Sequence, residues 1–102
     1  MEGPSLVILR EELEHFKGKK IAKASGLAKI NYERLNGKKI RDFRSWGKHF
    51  LIVLDDVTLR IHFLMFGSYR INERKDTTPR LQLQFSNAEE INFYTTAVKE
   101  IT

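Results

Sequence analysis

The chain has 102 residues, of which 41% are hydrophobic and 30% are charged, and its net charge is +5. This composition excludes an intrinsically disordered protein and predicts one soluble domain with one modest core. The absence of cysteine excludes a disulfide framework and a thiolate zinc site, and it fits a reducing compartment. The N-terminus lacks the basic start and apolar run of a signal peptide, and no apolar run approaches the roughly 20 residues of a membrane span.

The positive charge is concentrated in one third of the chain. Residues 17–48 contain eleven of the 18 Lys and Arg residues but only two of the 13 acidic residues. Such asymmetry indicates a surface for a polyanion, most often nucleic acid. The ordinary alternative is a solvated lysine-rich face, and charge alone does not decide between the two.

The first predicted element is a helix that begins near Pro4, because proline is favoured in a first helical turn. Gly18 is expected to end the segment. Its apolar residues recur at helical spacing and form one stripe, which should pack on the core: Leu6, Leu9, Leu13 and Phe16.

Short strands are predicted over most of the remaining chain. Apolar and polar residues alternate over residues 57–63 and 80–85, as in half-buried strands. Residues 50–54 are apolar on both faces, which predicts a strand covered on both sides. Further strands are expected over residues 19–25, 38–44, 68–72 and 90–95, a helical turn over 31–35 and a polar, mobile loop over 73–79.

The predicted fold class is therefore mainly β with a flanking helix (α+β). We expect an antiparallel β-sandwich of about eight strands with an N-terminal α-helix packed on it.

The N-terminus is a candidate for covalent chemistry. An α-amine has a pKa near about 7.7–8.0, so more of it is neutral at pH 7 than of a lysine amine. The neutral amine of Met1 can attack a sugar aldehyde and form a Schiff base, and the carboxylate of Glu2 is placed to shuttle protons. By itself the pair is a weak signal, because most proteins have a free N-terminus and many have an early Glu.

Two further residues are candidates for a contact with nucleic acid. Lys48, at the start of a buried strand after Trp46-Gly47, can hold a phosphate or, as a catalytic residue, a developing negative charge. Met65 belongs to an apolar tip that can wedge into a base stack. The ordinary alternatives are a lysine at a strand end and a residue that completes the core. His62, on the polar face of its strand, is interpreted as a structural histidine. Three scattered histidines without cysteine predict no metal site, and no cofactor is expected.

Three stretches carry a resemblance to a known family. They are Met1-Glu2-Gly3-Pro4, Gly47-Lys48-His49-Phe50-Leu51 and Ile61-His62-Phe63-Leu64-Met65-Phe66-Gly67-Ser68-Tyr69-Arg70. In this order they resemble the N-terminal catalytic domain of the formamidopyrimidine-DNA glycosylase/endonuclease VIII family, whose members are base-excision-repair glycosylases and abasic-site lyases. The resemblance covers residues 1–102 and does not include the family's helix-two-turn-helix and zinc-finger regions.

The resemblance implies a role for each matching residue. Glu2 matches the catalytic glutamate that protonates the sugar, and Lys48 matches a lysine that contacts DNA phosphate beside the lesion. Met65 matches a residue that fills the gap left by a flipped nucleotide, and His62 matches a histidine near the DNA backbone. Arg70, at the end of the last stretch, is counted with the DNA-binding residues.

The chain departs from the family at its start. The family usually begins Met-Pro-Glu-Gly-Pro, and the proline amine is the nucleophile. Here Met1 directly precedes Glu2, and methionine is rarely removed before a bulky Glu. The primary amine of Met1 is therefore expected in the nucleophile's place. Residues 94–99 also lack the Arg and Phe wedge that the family often carries.

The implied partner is double-stranded DNA with an abasic site or with a damaged base, and we expect that base to be oxidised. A monomer without membrane contact is expected in the cytoplasm, on the nucleoid if the source is bacterial. The 102 residues alone are expected to be inactive. Two alternatives stay open: a DNA-binding relative that has lost catalysis, and a β-sandwich interaction module with no nucleic-acid role.

Overall fold

The computed structural model of the protein describes residues 3–101, apart from the side chains of residues 3–5 and 66. One helix precedes a set of antiparallel strands. The elements are α1 (Gly3–Glu12), a 3₁₀ turn (Glu14–Phe16), β1 (Ile21–Ser25), α2 (Tyr32–Leu35), β2 (Asp42–Trp46), β3 (His49–Val53), β4 (Thr58–Ile71), β5 (Leu81–Phe85) and β6 (Glu90–Ile101). None of the helices among the described residues is long and apolar enough to cross a membrane.

The strands form one antiparallel sheet that folds into two layers. Its order is β1-β5-β6-β4-β3-β2. The two long central strands take part in both layers, because the pairing of β4 with β6 is interrupted between Phe63 and Ser68. The first layer contains β2, β3, residues 58–63 and residues 96–101. The second layer contains β1, β5, residues 68–71 and residues 90–94.

Aromatic side chains from both layers meet in the core between them. Phe63 of the first layer lies 6.1 Å from Phe93 and 6.4 Å from Tyr69 of the second, measured between ring centroids. Phe63, Phe50 and Phe93 are each at most 4% exposed. Burial of such side chains stabilises the fold by about 1.5–3 kcal/mol each.

A short antiparallel contact joins the two edges of the sheet. The amide of Ile21 donates to the carbonyl of Lys38 (2.8 Å), and the amide of Ile40 donates to the carbonyl of Lys19 (3.0 Å). These segments lead into β1 and β2, the edge strands. The contact therefore satisfies backbone groups that an open sheet edge would expose.

Helix α1 lies beside the edge strand β2. As predicted, the apolar stripe is buried, since Leu6, Leu9 and Leu13 are 0% exposed. The ammonium of Lys17, after the helix, lies 3.2 Å from the carboxylate of Asp42 at the start of β2. The groove between the helix and this strand is lined by Arg10, Glu14, Lys17 and residues 42–45.

A polar loop over residues 73–79 covers the outer face of the second layer. The amide side chain of Asn92 donates to the carbonyl of Glu73 (2.7 Å). The backbone amide of Lys75 donates to the hydroxyl of Tyr94 (3.0 Å), and the guanidinium of Arg74 donates twice to Glu90 (2.8 and 3.0 Å). The loop predicted from its polar composition is therefore anchored along its first half.

The fold class predicted from the sequence is confirmed: the chain is mainly antiparallel β with a flanking N-terminal helix. The strand number differs, because the segments expected over residues 57–63 and 68–72 are parts of β4. Residues 38–41 contribute an isolated bridge before β2 begins at Asp42.

One prediction about β3 is wrong. Phe50 and Ile52 are buried, but Leu51 and Val53 are only half-buried, so this strand is not covered on both sides. Their neighbours on the outer face are Arg60 and Thr58 of β4, whose polar side chains cover them incompletely.

Candidate nucleic-acid interface

Lys48 occupies a two-residue hairpin turn at one end of the first layer. Trp46 of β2 pairs with His49 of β3, which leaves Gly47 and Lys48 as the turn residues. Gly47 has a φ of 59°, whereas Lys48 is outside the positive-φ region. This combination is the type II′ turn, which places glycine first and suits the right-handed twist of the strands. Lys48 is exposed at the tip, so its ammonium is available to an anion.

Two histidines face each other next to this turn. His49 and His62 are cross-strand partners on the outer face, with ring centroids 5.1 Å apart. Burial, and next the charges of Arg60 and His62, lower the pKa of His49. The Nδ1 atom of His49 has no hydrogen-bond partner in the described part of the chain. No group of three or more His, Cys, Asp or Glu within the described residues could hold a metal ion.

Met65 projects from a bulge in β4. Pairing with β6 stops after Phe63 and resumes at Ser68, and between them Met65 is 80% exposed. A side chain at Gly67 would place its Cβ 2.9 Å from the carbonyl oxygens of Leu64 and Thr95, so the bulge requires glycine there. The expected exposed tip is therefore present at Met65.

A strained residue lies opposite the bulge. Thr95 of β6 has a φ of 52°, a left-handed conformation that is a true outlier for a β-branched residue. Strain of about 1–3 kcal/mol persists only where the surrounding structure imposes it, and it is common at functional sites. Periodicity gave no signal for Thr95.

Three of the predicted contact residues gather at one end of the first layer. The pairing of His49 with His62 sets the β2–β3 turn, and hence Lys48, beside the residues of β4 that lead to Met65. Met1 and Glu2 lie outside the described residues.

Arg70 does not belong to this cluster. It lies beyond the bulge in the second layer, where it pairs with Asn92 of β6. Its guanidinium donates to the carbonyl of Tyr69 (2.9 Å), and the side chain is exposed.

The basic segment over residues 17–48 is less positive in the folded protein than along the sequence. Acidic residues from distant parts of the chain pair with it. For example, Lys19 lies 2.7 Å from Glu89, and Lys38 lies 2.9 Å from Asp56. Among the described residues, four of its cations pair with distant acids outside the segment in this way: Lys19, Arg34, Lys38 and Arg41. Two more, Lys17 and Arg44, pair with Asp42 inside the segment. Lys48 forms none with a described residue, so its charge is available to a ligand.

Sequence reasoning did not identify Trp46 and His49 as surface neighbours of Lys48. Trp46 is 72% exposed, and its ring lies 6.2 Å from that of His49 with 29° between the planes. A tryptophan next to glycine and lysine was a visible signal, but its exposure depends on which face of β2 it occupies.

Solved structures of DNA glycosylases share this fold. The Lactococcus lactis formamidopyrimidine-DNA glycosylase, bound non-covalently to DNA with an abasic site, is 22% identical with a TM-score of 0.84; the match covers 99% of this chain and 45% of that one. MutM in complex with DNA containing carbocyclic 8-oxo-G is 22% identical with a TM-score of 0.84, and the match covers 99% of this chain and 44% of that one. A viral DNA glycosylase is 22% identical with a TM-score of 0.82, and the match covers 98% of this chain and 40% of that one. At this identity the likeness establishes the fold, and the chain spans less than half of each of these proteins.

A comparison with curated protein sequences finds no match. The profile of the formamidopyrimidine-DNA glycosylase N-terminal domain, in contrast, matches residues 1–96, nearly the whole chain. This protein therefore belongs to the formamidopyrimidine-DNA glycosylase N-terminal domain family.

Proposed function

We propose that the chain is the N-terminal catalytic domain of a base-excision-repair DNA glycosylase that also cleaves DNA at abasic sites. The observation that carries the proposal is family membership over residues 1–96. The gathering of Lys48, His62 and Met65 at one end of the sandwich agrees with it, because a damaged site needs phosphate contacts and a filler for the gap close together. The substrate class is duplex DNA with an oxidised base or an abasic site.

In this proposal the α-amine of Met1 is the nucleophile. Its lone pair attacks C1′ of the damaged nucleotide and forms a C–N bond while the base leaves with the electrons of the glycosidic bond and takes up the proton that the new ammonium releases. Glu2 protonates the ring oxygen, the C1′–O4′ bond opens, and an iminium remains. Loss of a proton from C2′ then expels the 3′-phosphate with the electrons of the C3′–O bond, which cleaves the strand. Water releases the enzyme by hydrolysis of the iminium.

Lys48 and His62 hold the DNA backbone beside the lesion. Lys48 is an exposed point charge at a rigid turn, suited to a phosphate oxygen. His62 lies one strand away on the open outer face and can donate a hydrogen bond to a neighbouring phosphate.

Met65 takes the space that the extruded nucleotide leaves in the duplex. Its side chain is 80% exposed and sits on a bulge that Gly67 and Thr95 hold in place. Unstacking costs a few kcal/mol, and an apolar wedge offsets part of that cost by covering the adjacent base pairs. Arg70, in the second layer, is proposed to contact the backbone farther from the lesion.

Borohydride trapping tests the nucleophile. Because the 102 residues alone are expected to be inactive, the protein used is a longer one that joins this chain to the family's helix-two-turn-helix and finger regions. Duplex DNA with one abasic site is incubated with this protein and borohydride, which reduces the iminium to a stable amine. We expect a covalent adduct that peptide mass spectrometry maps to residue 1, and no adduct after acetylation of the α-amine. An adduct on a lysine, or none with an intact α-amine, overturns the assignment of Met1.

The phosphate contact is tested with Lys48→Gln. This variant should bind all duplexes more weakly, and the slope of log affinity against log salt should fall by about 1. Lys29→Gln is the matched control, because Lys29 is also exposed and forms no ion pair with a described residue. Equal effects of the two substitutions would contradict a specific role for Lys48.

A second candidate is a DNA-binding relative without catalysis, and Met1 in place of the usual proline favours it. Salt-dependent binding to duplex DNA, without strand cleavage or a trapped adduct, would support this candidate. No binding at low salt would reject both.

A further inference from the structure

An aromatic row crosses the outer face of the first layer. Trp46, His49 and His62 stand side by side on β2, β3 and β4, because Trp46 pairs with His49 and His49 pairs with His62. The ring centroids are 6.2 and 5.1 Å apart. The ring planes are inclined by 29° between Trp46 and His49 and by 54° between His49 and His62, so the row spans three neighbouring strands without being flat.

A cationic row runs parallel to it, two residues farther along each strand. Arg44 pairs with Leu51, Leu51 with Arg60, and Arg60 with Lys99. The two rows are about 7 Å apart, since an antiparallel strand rises about 3.4 Å per residue. Arg60 and Lys99 form no ion pair with an acid in the described part of the chain, whereas Arg44 pairs with Asp42 at 3.1 Å.

The outer face of the first layer is open, whereas the outer face of the second layer is covered by the loop over residues 73–79. Trp46 is 72% exposed, and Lys99 is exposed as well. A large aromatic ring left in water at a rigid hairpin gains nothing for the core, and such residues commonly mark a binding site.

We propose that this face binds single-stranded nucleic acid, with unpaired bases stacked on the aromatic row and phosphates held by the cationic row. Surfaces that bind single strands combine these two elements, because every base has a π-face and every nucleotide carries a negative charge. The parallel arrangement fits one chain whose bases lie on one side and whose phosphates lie on the other. The inference goes beyond the proposed function, since it needs neither a lesion nor a reaction at Met1.

The state of His49 agrees with stacking. Burial, and next the charges of Arg60 and His62, lower the pKa of this imidazole, which favours the neutral ring. A neutral ring can lie against Trp46 and a base without the cost of a buried charge.

The single tryptophan of the chain makes the test direct. The protein is titrated at low salt with an oligothymidylate of about eight nucleotides, a length within the usual site size of such surfaces, and the emission of Trp46 is followed. We expect saturable quenching that weakens as salt rises. An oligomer of abasic units with the same phosphates should leave the emission unchanged, because it has no base to stack.

Substitutions separate the two rows. With a labelled oligothymidylate, Trp46→Ala should weaken binding at least about fivefold, as expected for one lost stacking contact. Arg60→Gln and Lys99→Gln should each weaken binding and reduce the salt slope by about 1. Lys23→Gln is the matched control, since Lys23 is an exposed cation on the second layer that forms no ion pair with a described residue.

Three results would overturn the proposal. They are no saturable quenching at low salt, equal quenching by the abasic oligomer, and an effect of Lys23→Gln as large as that of Arg60→Gln. Because oligothymidylate carries no lesion, the first and third of these results are independent of the trapping experiment on Met1.

Discussion

The hydroxyl of Tyr69 donates a 2.9 Å hydrogen bond to the carboxylate of Glu12. The bond connects the end of α1 to β4, the strand that carries His62 and Met65. It therefore joins the element that begins at the proposed reacting end of the chain to the strand that holds the proposed DNA contacts.

We expect Tyr69→Phe to lower the free energy of unfolding by about 1 kcal/mol at pH 7, the usual net value of one hydrogen bond. Burial, and next the bond to Glu12, raise the pKa of Tyr69 to about 12. The folded state thus favours the neutral phenol. The stability from this shift is complete below the unfolded pKa of about 10 and is lost as pH rises toward 12. Urea denaturation between pH 7 and 12 should show the difference from wild type vanishing with rising pH, and a constant difference would contradict the role of ionisation.

Glu89 ties the segment after α1 to the turn between β5 and β6. It accepts hydrogen bonds from Lys19 (2.7 Å) and His15 (3.0 Å). These bonds lower the pKa of Glu89 to about 2, and the bond from Lys19 has the largest effect. The resulting stability is present above the unfolded pKa of about 4.3 and is lost as pH falls toward 2.

Glu89→Gln should therefore lower the urea midpoint at pH 7. Near pH 2 the urea midpoint of this variant should approach that of wild type. Glu11→Gln is the control, because Glu11 is exposed and forms no ion pair with a described residue. A loss that persisted unchanged at pH 2 would point to packing instead of charge.

Gly67→Ala should destabilise the fold by about 1–3 kcal/mol, because the new Cβ would meet the carbonyl oxygens of Leu64 and Thr95 at 2.9 Å. The bulge should shift, and the methyl resonance of Met65, one of two methionines in the chain, should move with it.

Gly37→Ala provides the comparison. Gly37 has a φ of 82° but open space around a Cβ, so we expect only the backbone cost of about 1 kcal/mol and an unchanged Met65 resonance. If both variants left Met65 unchanged, the bulge would not depend on Gly67.

Thr96→Val should raise the free energy of unfolding by about 1 kcal/mol. Thr96 is 2% exposed, and its hydroxyl has no hydrogen-bond partner among the described residues, so an apolar group of similar shape avoids a desolvation cost. Thr58→Val on the half-buried outer face should change stability by less than about 0.5 kcal/mol. Destabilisation by Thr96→Val would indicate that a bound water satisfies the hydroxyl.

Local periodicity was enough to predict the fold class and much of the core. The helical stripe that begins with Leu6 is buried in the structure, and so are the alternating apolar residues from Leu59 to Phe63. Periodicity failed for β3, since an apolar residue such as Leu51 does not reveal whether another layer covers it. Periodicity also predicted two strands where the structure has only β4. The alternation of apolar residues is interrupted at the bulge, although the chain stays extended there as it passes from one layer to the other.

The candidate residues came from the resemblance to a family, and their arrangement came from the fold. Lys48, His62 and Met65 are up to 17 positions apart, and strand register brings them to one end of the sandwich. Arg70, only five positions after Met65, lies in the other layer.

The sequence by itself determined that this protein is a mainly β domain of the formamidopyrimidine-DNA glycosylase family with a basic segment. Only the tertiary structure decided how that charge is distributed and where the open face lies. Lys19 and Glu89 are 70 positions apart and neutralise each other. Trp46, His49 and His62 form one row only because β2, β3 and β4 pair in a particular register. Ion pairs and cross-strand neighbours depend on long-range packing, which neither composition nor local periodicity encodes.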